Sequence, residues 1–305
     1  MKKIFILPLI LTLALANAFA QPANAGFVQN FKTKISYNRE IKNTTKDIKD
    51  VFTKQDEFTN NHELEKLSSL YSDKFVNSDG FDKKIYFKLI EDTWETYPDI
   101  TYTTEIRDIR INGNFAVVQT YETAYATTHE VSDTIDAYGE LNSIANSMYY
   151  LQKAGSHWII FAEQVLDEKS QLRYGDARFV KMDLNAPKIV NAGDEYSASL
   201  NIQLDDDETA VASIDTQEII HPIGKPDDAF RNLSNQNQLE RIFKANSKNI
   251  NEYVTASIGI AKAEPYDEKY SKVYVSGIAF LMTRINVIPA NKFITLEEDN
   301  APKTK

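Results

Sequence analysis

The residues with the most chemical capacity gather between Tyr86 and Tyr150, where eight of the chain's 16 tyrosines fall. From Phe115 onward, alternation puts Tyr121 and Tyr125 on one face with Thr123 and turns Glu122 to the other with Ala124 and Ala126. A curved sheet with helices on one side would carry one of these sets inward. The pattern predicts a pocket lined by Trp94, Tyr97, Tyr121, Tyr125, Tyr149 and Trp158. Asp79 or Glu122 would serve there as a catalytic base, because burial raises a carboxylate's pKa toward a useful value. The competing expectation is plain strand packing: Tyr and Thr are favoured in strands for that reason alone, with their hydroxyls at the surface.

Other chemistries find less to work with. His62, His129, His157 and His221 lie far apart and form no short ligand pair, so no metal is expected. Asp205, Asp206, Asp207 and Glu208 are acidic enough for calcium, but lack the alternate spacing and the glycine of a calcium loop. They read as a solvated hairpin turn. The chain has no cysteine, which removes thiolate catalysis, disulfides and thiolate metal sites. It has no nucleophile elbow, phosphate loop or dinucleotide fingerprint, so no cofactor is expected.

These residues need elements to hold them. Ile48, Val51, Phe52 and Phe58 fall on one helical face, and Leu64, Leu67, Leu70 and Tyr71 continue after a break near Asn60 and Asn61. A short strand and turn follow over residues 73–80. Tyr86, Leu89, Ile90, Trp94 and Tyr97 form the stripe of another helix, which Pro98 ends. Strand periodicity takes over at residues 101–111 and 115–128, joined by Asn112 and Gly113, a strong hairpin signal. Further strands are expected at residues 147–153 and 157–165. The order predicts an α+β class, with helices packed on one face of a curved antiparallel sheet.

A second, mainly β unit is expected over residues 180–296. Tyr196, Ala198, Leu200, Ile202 and Leu204 alternate with polar residues, as in a half-buried strand. Val254, Ala256, Ile258 and Ile260 repeat the pattern, and residues 273–287 form a long apolar strand with Gly277 as a bulge. Residues 226–246 read as a helical insertion, with Leu239, Ile242 and Phe243 on its apolar side. The unit is expected to be sandwich-like, and the polar tail from residue 297 to fray.

The N-terminus reads as a cleavable export signal. Lys2 and Lys3 precede an apolar run over residues 4–16, followed by small-residue cleavage sites ending at Ala20 or Ala25, with Ala20 favoured for its closeness to that run. Cleavage takes away two lysines and no acid, moving the formal charge from −10 to −12. A net acidic chain without a basic cluster is a poor partner for nucleic acid. The expected location is the periplasm or the medium, with no membrane anchor after cleavage. Residues 26–44 read as a loosely packed lead-in.

Residues 45–175 resemble the nuclear transport factor 2-like superfamily, which includes polyketide-cyclase-like proteins. The resemblance rests on the helix-helix-strand-helix-meander order, the segment from Phe75 to Gly80, the hairpin at Asn112 and Gly113, and the closing strand around Trp158. It implies a cone-shaped α+β roll whose sheet curls around a pocket. An Asp-Arg-Asp triad would point to an epoxide-hydrolase-like site, but only Asp108 and Arg110 stand together, where a surface pair is expected. A dehydratase-like site would need His129 and His157 to approach each other. The second unit resembles immunoglobulin-like modules only loosely and lacks their Cys and Trp marks.

The expected function is an exported, non-enzymatic binding or scaffold protein. Its pocket would take a small apolar ligand or a peptide of an envelope protein partner. A homodimer through the sheet of the first unit is a further candidate assembly. Two alternatives stay open: a lyase, isomerase or hydrolase using an acid-base pair in that pocket, and a structural envelope component whose cone is filled.

Overall fold

The computed structural model of the chain describes residues 26–221, 231–233, 237–266 and 270–290, with side chains from residue 41 onward. The expected export signal at residues 1–20 or 1–25 and the expected tail from residue 297 lie outside the described residues. The chain divides into a unit ending at Thr44 and a unit from Thr45 to Lys305. The described part of the first unit, which the sequence suggested was a lead-in, is helical from Gly26.

Three helices precede the sheet. Helix α1 (Gly26–Asn60) buries Ile48, Val51 and Phe52 in the second unit, and α2 (Leu64–Ser69) buries Leu67. Strand β1 (Tyr71–Asn77) leads to α3 (Lys83–Thr96). The Asp82 carboxylate caps α3 by accepting from the Ile85 N–H at 2.9 Å. The helix stops two residues before Pro98, and its inner face buries Phe87 and Trp94. A meander follows: β2 (Thr101–Asn112), β3 (Phe115–Thr127), β4 (Gly139–Ala154) and β5 (His157–Gly175). The apolar residues of the helices pack on Ala116, Val118, Leu151, Trp158 and Ile160 of this sheet.

The β2–β3 turn consists of Gly113 and Asn114, one residue later than the sequence signal. Gly113 alone takes a positive φ, 59°, as the first central position of a tight hairpin turn does. Strands β4 and β5 are also longer than their apolar cores suggested, because their outer ends alternate polar with polar and carry little periodicity.

After a 3-10 turn at Asp176–Arg178 come β6 (Lys181–Asn185), β7 (Ile189–Asn191), β8 (Glu195–Gln203) and β9 (Glu208–Glu218). Then follow β10 (Arg231–Asn232), β11 (Gln238–Lys244), β12 (Glu252–Pro265) and β13 (Ser271–Ile288). The helical insertion is corrected where it is described: residues 238–244 are a strand, antiparallel to β8. Leu239, Ile242 and Phe243 fit a helical stripe, but Leu239 and Phe243 also fit a period of two. Pairing with β8 selects the second, leaving Ile242 72% exposed. Residues 226–230 and 234–236 of the expected insertion lie outside the described residues. At Gly277 the β12–β13 register slips by one residue and leaves Ser276 unopposed, as the glycine suggested.

The fold is an α+β region joined to a mainly β part. One ten-stranded sheet runs β10-β9-β12-β13-β5-β4-β3-β2, with β1 beside β5 and β7 beside β13. A separate three-stranded sheet, β11-β8-β6, packs Leu184, Ala198, Leu200 and Ile202 against Ala212, Val254, Ile258 and Ile285 of the large sheet. Strand β5 belongs to both regions. Its first half pairs with β1 at Ile160, Ala162 and Glu163, and residues 169–175 pair with β13.

Candidate functional site

The cavity that best combines enclosure with reactive groups lies between the helices and β2 to β5. It encloses about 130 Å³. Its wall carries Gln55 and Asp56 from α1, Tyr71 from β1 and Tyr86 from α3. Tyr102, Glu122, Tyr149 and Glu163 come from β2, β3, β4 and β5 respectively. Three of these residues are acids, and no lysine, arginine or histidine lines the space.

Glu163 enters the cavity because of a backbone irregularity. Trp158 and Ile160 face inward, and regular alternation would send Glu163 outward. The β4–β5 register slips between Leu151, opposite Ile160, and Tyr150, opposite Ala162, so Phe161 is the extra residue of a bulge. The bulge reverses the parity of the strand. Glu163 then stands opposite Tyr149, with both side chains buried.

The electrostatics follow from the enclosure. Burial pushes the Glu163 carboxyl up to about 8, and the Glu122 charge adds to the shift; hydrogen bonding from the Tyr86 and Tyr149 hydroxyls opposes it. Burial raises Glu122 as well, against hydrogen bonds from Tyr149, Thr120 and Ser147. The Thr120 hydroxyl donates to Glu122 Oε1 at 3.0 Å, and the Ser147 hydroxyl donates to Oε2 at 3.3 Å. Tyr71, Tyr86 and Tyr149 are held neutral mainly by burial. Gln55 Nε2 reaches the Tyr149 hydroxyl at 3.5 Å. Glu163 Oε2 and Gln55 Oε1 are buried without a hydrogen-bond partner.

The rim is stitched by side chains acting on backbone. Asp56 accepts from the Thr104 N–H at 2.9 Å and from its hydroxyl at 2.6 Å. The Asn60 amide both accepts from the Tyr102 N–H at 2.7 Å and donates to the Tyr102 carbonyl at 2.9 Å. Helix α1 thereby borrows the free edge of β2 as a partner.

The expected pocket residues divide. Glu122 and Tyr149 line the cavity, and Glu163 joins them without having been singled out in the sequence. Tyr121 and Tyr125 lie on the opposite face of β3: Tyr121 rests under Arg107 at 5.0 Å, and Tyr125 is exposed. Trp94 is core, stacked on His62 at 4.6 Å. Tyr97 lines a separate cleft with His129 and Tyr174, and Trp158 sits beside another with His157, so the two histidines are not brought together.

Asp79 is held in an ion pair with Arg284 and does not line this cavity. Asn77 Oδ1 accepts from the N–H groups of Asp79 and Phe81, a local turn that aims Asp79 at Arg284. Asp108 and Arg110 form an exposed pair at 2.7 Å. The acidic run forms the β8–β9 turn, where Glu208 meets Lys262 at 3.4 Å. Among the described residues, no group of three or more His or acidic side chains is placed to hold a metal ion. No described helix is long and apolar enough to cross a membrane.

No protein-family model matches the chain, and no curated protein matches it. Solved structures similar to part of it include Bd1075 of Bdellovibrio bacteriovorus, at 16% identity and a TM-score of 0.33, the match spanning 39% of each chain. A nuclear transport factor 2-like protein of Cytophaga hutchinsonii is 18% identical, with a TM-score of 0.29, over 39% of this chain and 93% of that one. A hexachlorocyclohexane dehydrochlorinase of Novosphingobium barchaimii is 10% identical, with a TM-score of 0.35, over 42% of this chain and 88% of that one.

Proposed function

We propose that this chain is an exported binding protein that holds a small polar ligand in the cavity between Glu122, Tyr149 and Glu163. Residues 45–175 then act as a nuclear transport factor 2-like roll around the ligand, and the mainly β part from residue 180 serves as a spacer or partner-facing module. The observation that carries the reading is the pair of unpartnered acceptors, Glu163 Oε2 and Gln55 Oε1, buried in one cavity. Buried polar atoms are nearly always hydrogen-bonded, so a space of this kind calls for a hydrogen-bonding partner from outside the chain. A volume of about 130 Å³ suits a ligand close to benzene in size or a few waters.

A second reading, acid-base catalysis on the bound molecule, is favoured by the Glu163 carboxyl at about 8 beside two tyrosine hydroxyls. Native mass spectrometry of the protein taken from its host's envelope tests the binding reading, and a co-purifying small molecule is the expected result. Repeated absence of any bound species, together with no thermal shift across a polar small-molecule panel, overturns it. Chemical change of the bound molecule, lost on Glu163→Gln, moves the protein to the enzyme reading.

A further inference from the structure

We infer that the cavity is selective for a small organic ammonium ion, held by the two glutamates and the faces of the tyrosine rings around them. The inference rests on the binding reading above and names the class of ligand. The wall offers negative and accepting groups without a cation to match them. Among the described residues, Asp56, Glu122 and Glu163 line it and no basic side chain does, and Gln55 Oε1 and Glu163 Oε2 have no hydrogen-bond partner. Glu163 is 6% exposed, so this oxygen is sealed off from bulk water. An anion would meet the carboxyls of Asp56, Glu122 and Glu163 at close range.

The rings decide what kind of cation fits. Tyr71, Tyr86, Tyr102 and Tyr149 line the same space, and the negative face of a tyrosine ring attracts an alkylammonium group. A hard metal ion instead needs several oxygen ligands at short range, and the described residues bring no such set together. The volume of about 130 Å³ admits an ammonium group with a few carbons.

Binding should displace protons. The groups facing Glu163 are Tyr71 from β1, Tyr86 from α3, Glu122 from β3 and Tyr149 from β4, with Asp79 acting from further off. Asp56 of α1 acts on Glu122. Arg284, on β13, is engaged by Asp79. Without a ligand, burial and mutual repulsion favour protonated carboxyls. A bound cation reverses that preference, so protons leave as the ligand enters and affinity climbs with pH until the carboxyls are already ionised.

The test is isothermal titration calorimetry of the purified protein with methylammonium, tetramethylammonium and tert-butanol, a neutral near-isostere, in buffers of different ionisation enthalpy. The expected result is cation binding at least tenfold tighter than tert-butanol, with proton release. Glu163→Gln should weaken cation binding at least tenfold and reduce the release. Should that variant fail to fold, Glu122→Gln carries the same expectation. Equal affinity for tert-butanol, or cation binding without proton release, overturns the ammonium assignment and leaves the binding reading standing. Failure of every probe, with no co-purifying species, overturns both.

Discussion

Asp79 Oδ2 accepts from Arg284 Nη1 at 3.1 Å across 205 residues of sequence, and the second arm of the guanidinium donates to Asp79 Oδ1. The pair is closed on all sides: the two side chains are 5% and 1% exposed. Asn251 donates to Asp79 at 2.8 Å, and Arg284 Nε donates to Asn286 at 3.0 Å. Asn286 in turn donates to the carbonyl of Leu166 at 2.7 Å, where β5 carries a second register slip. The network fills the gap along β5 between Glu163, where pairing with β1 ends, and Lys169, where pairing with β13 begins.

Removing one partner leaves a buried charge alone. Arg284→Met should therefore cost about 3–5 kcal/mol in urea unfolding. The double change Asp79→Leu with Arg284→Met should recover much of that loss, because no charge stays buried.

Glu163 makes stability depend on pH in a defined direction. Its folded pKa, about 8, lies above the ordinary 4.5. The folded protein therefore holds a proton that the unfolded chain releases. The stability this group contributes is complete below 4.5 and is lost as pH rises through about 8. Wild type should lose on the order of a few kcal/mol more than Glu163→Gln across this window, measured by denaturant unfolding without ligand.

Tyr149→Phe keeps the ring that meets Phe52 edge-on at 5.3 Å and deletes the hydroxyl. That hydroxyl lowers the pKa of both Glu122 and Glu163. Carbon-13 NMR titration should find both carboxyls ionising at higher pH in the variant.

Gly113 has open space where a side chain would go, so a substitution there meets only the backbone penalty at a φ of 59°. Gly113→Ala should destabilise the fold by about 1 kcal/mol, with the cavity and its ligand affinity unchanged.

Export predicts a mature N-terminus at Gln21 or Gly26 when the secreted protein is sequenced. A protein retaining Met1 in the envelope fraction would rule out cleavage.

The part of α1 from Ile48, α2, α3 and the first two meander strands were legible because their apolar residues keep one period, whereas residues 26–44 of α1 read as a lead-in. Alternation set Glu122 with Ala124 and Ala126 against Tyr121 and Tyr125, but nothing in the spacing said which face of β3 turns inward. Glu163 was hidden by the same rule: counting by twos from Ile160 sends it to solvent, and no glycine marks the bulge at Phe161. Arg284 was hidden differently. It lies within an apolar strand, and its partner is distant in sequence, so only tertiary structure brings the charges together. At residues 238–244 local spacing admitted two periods, and pairing with β8 chose between them.

Strand β5 gives one half of its length to the cavity region and the other to β13. Cutting the chain after Gly175 would strip residues 169–175 of their partner on one side and leave β13 open along the matching stretch. Each fragment would expose unpaired N–H and C=O groups, a template for joining other chains. The halves are thus tied by the aggregation that separation would invite.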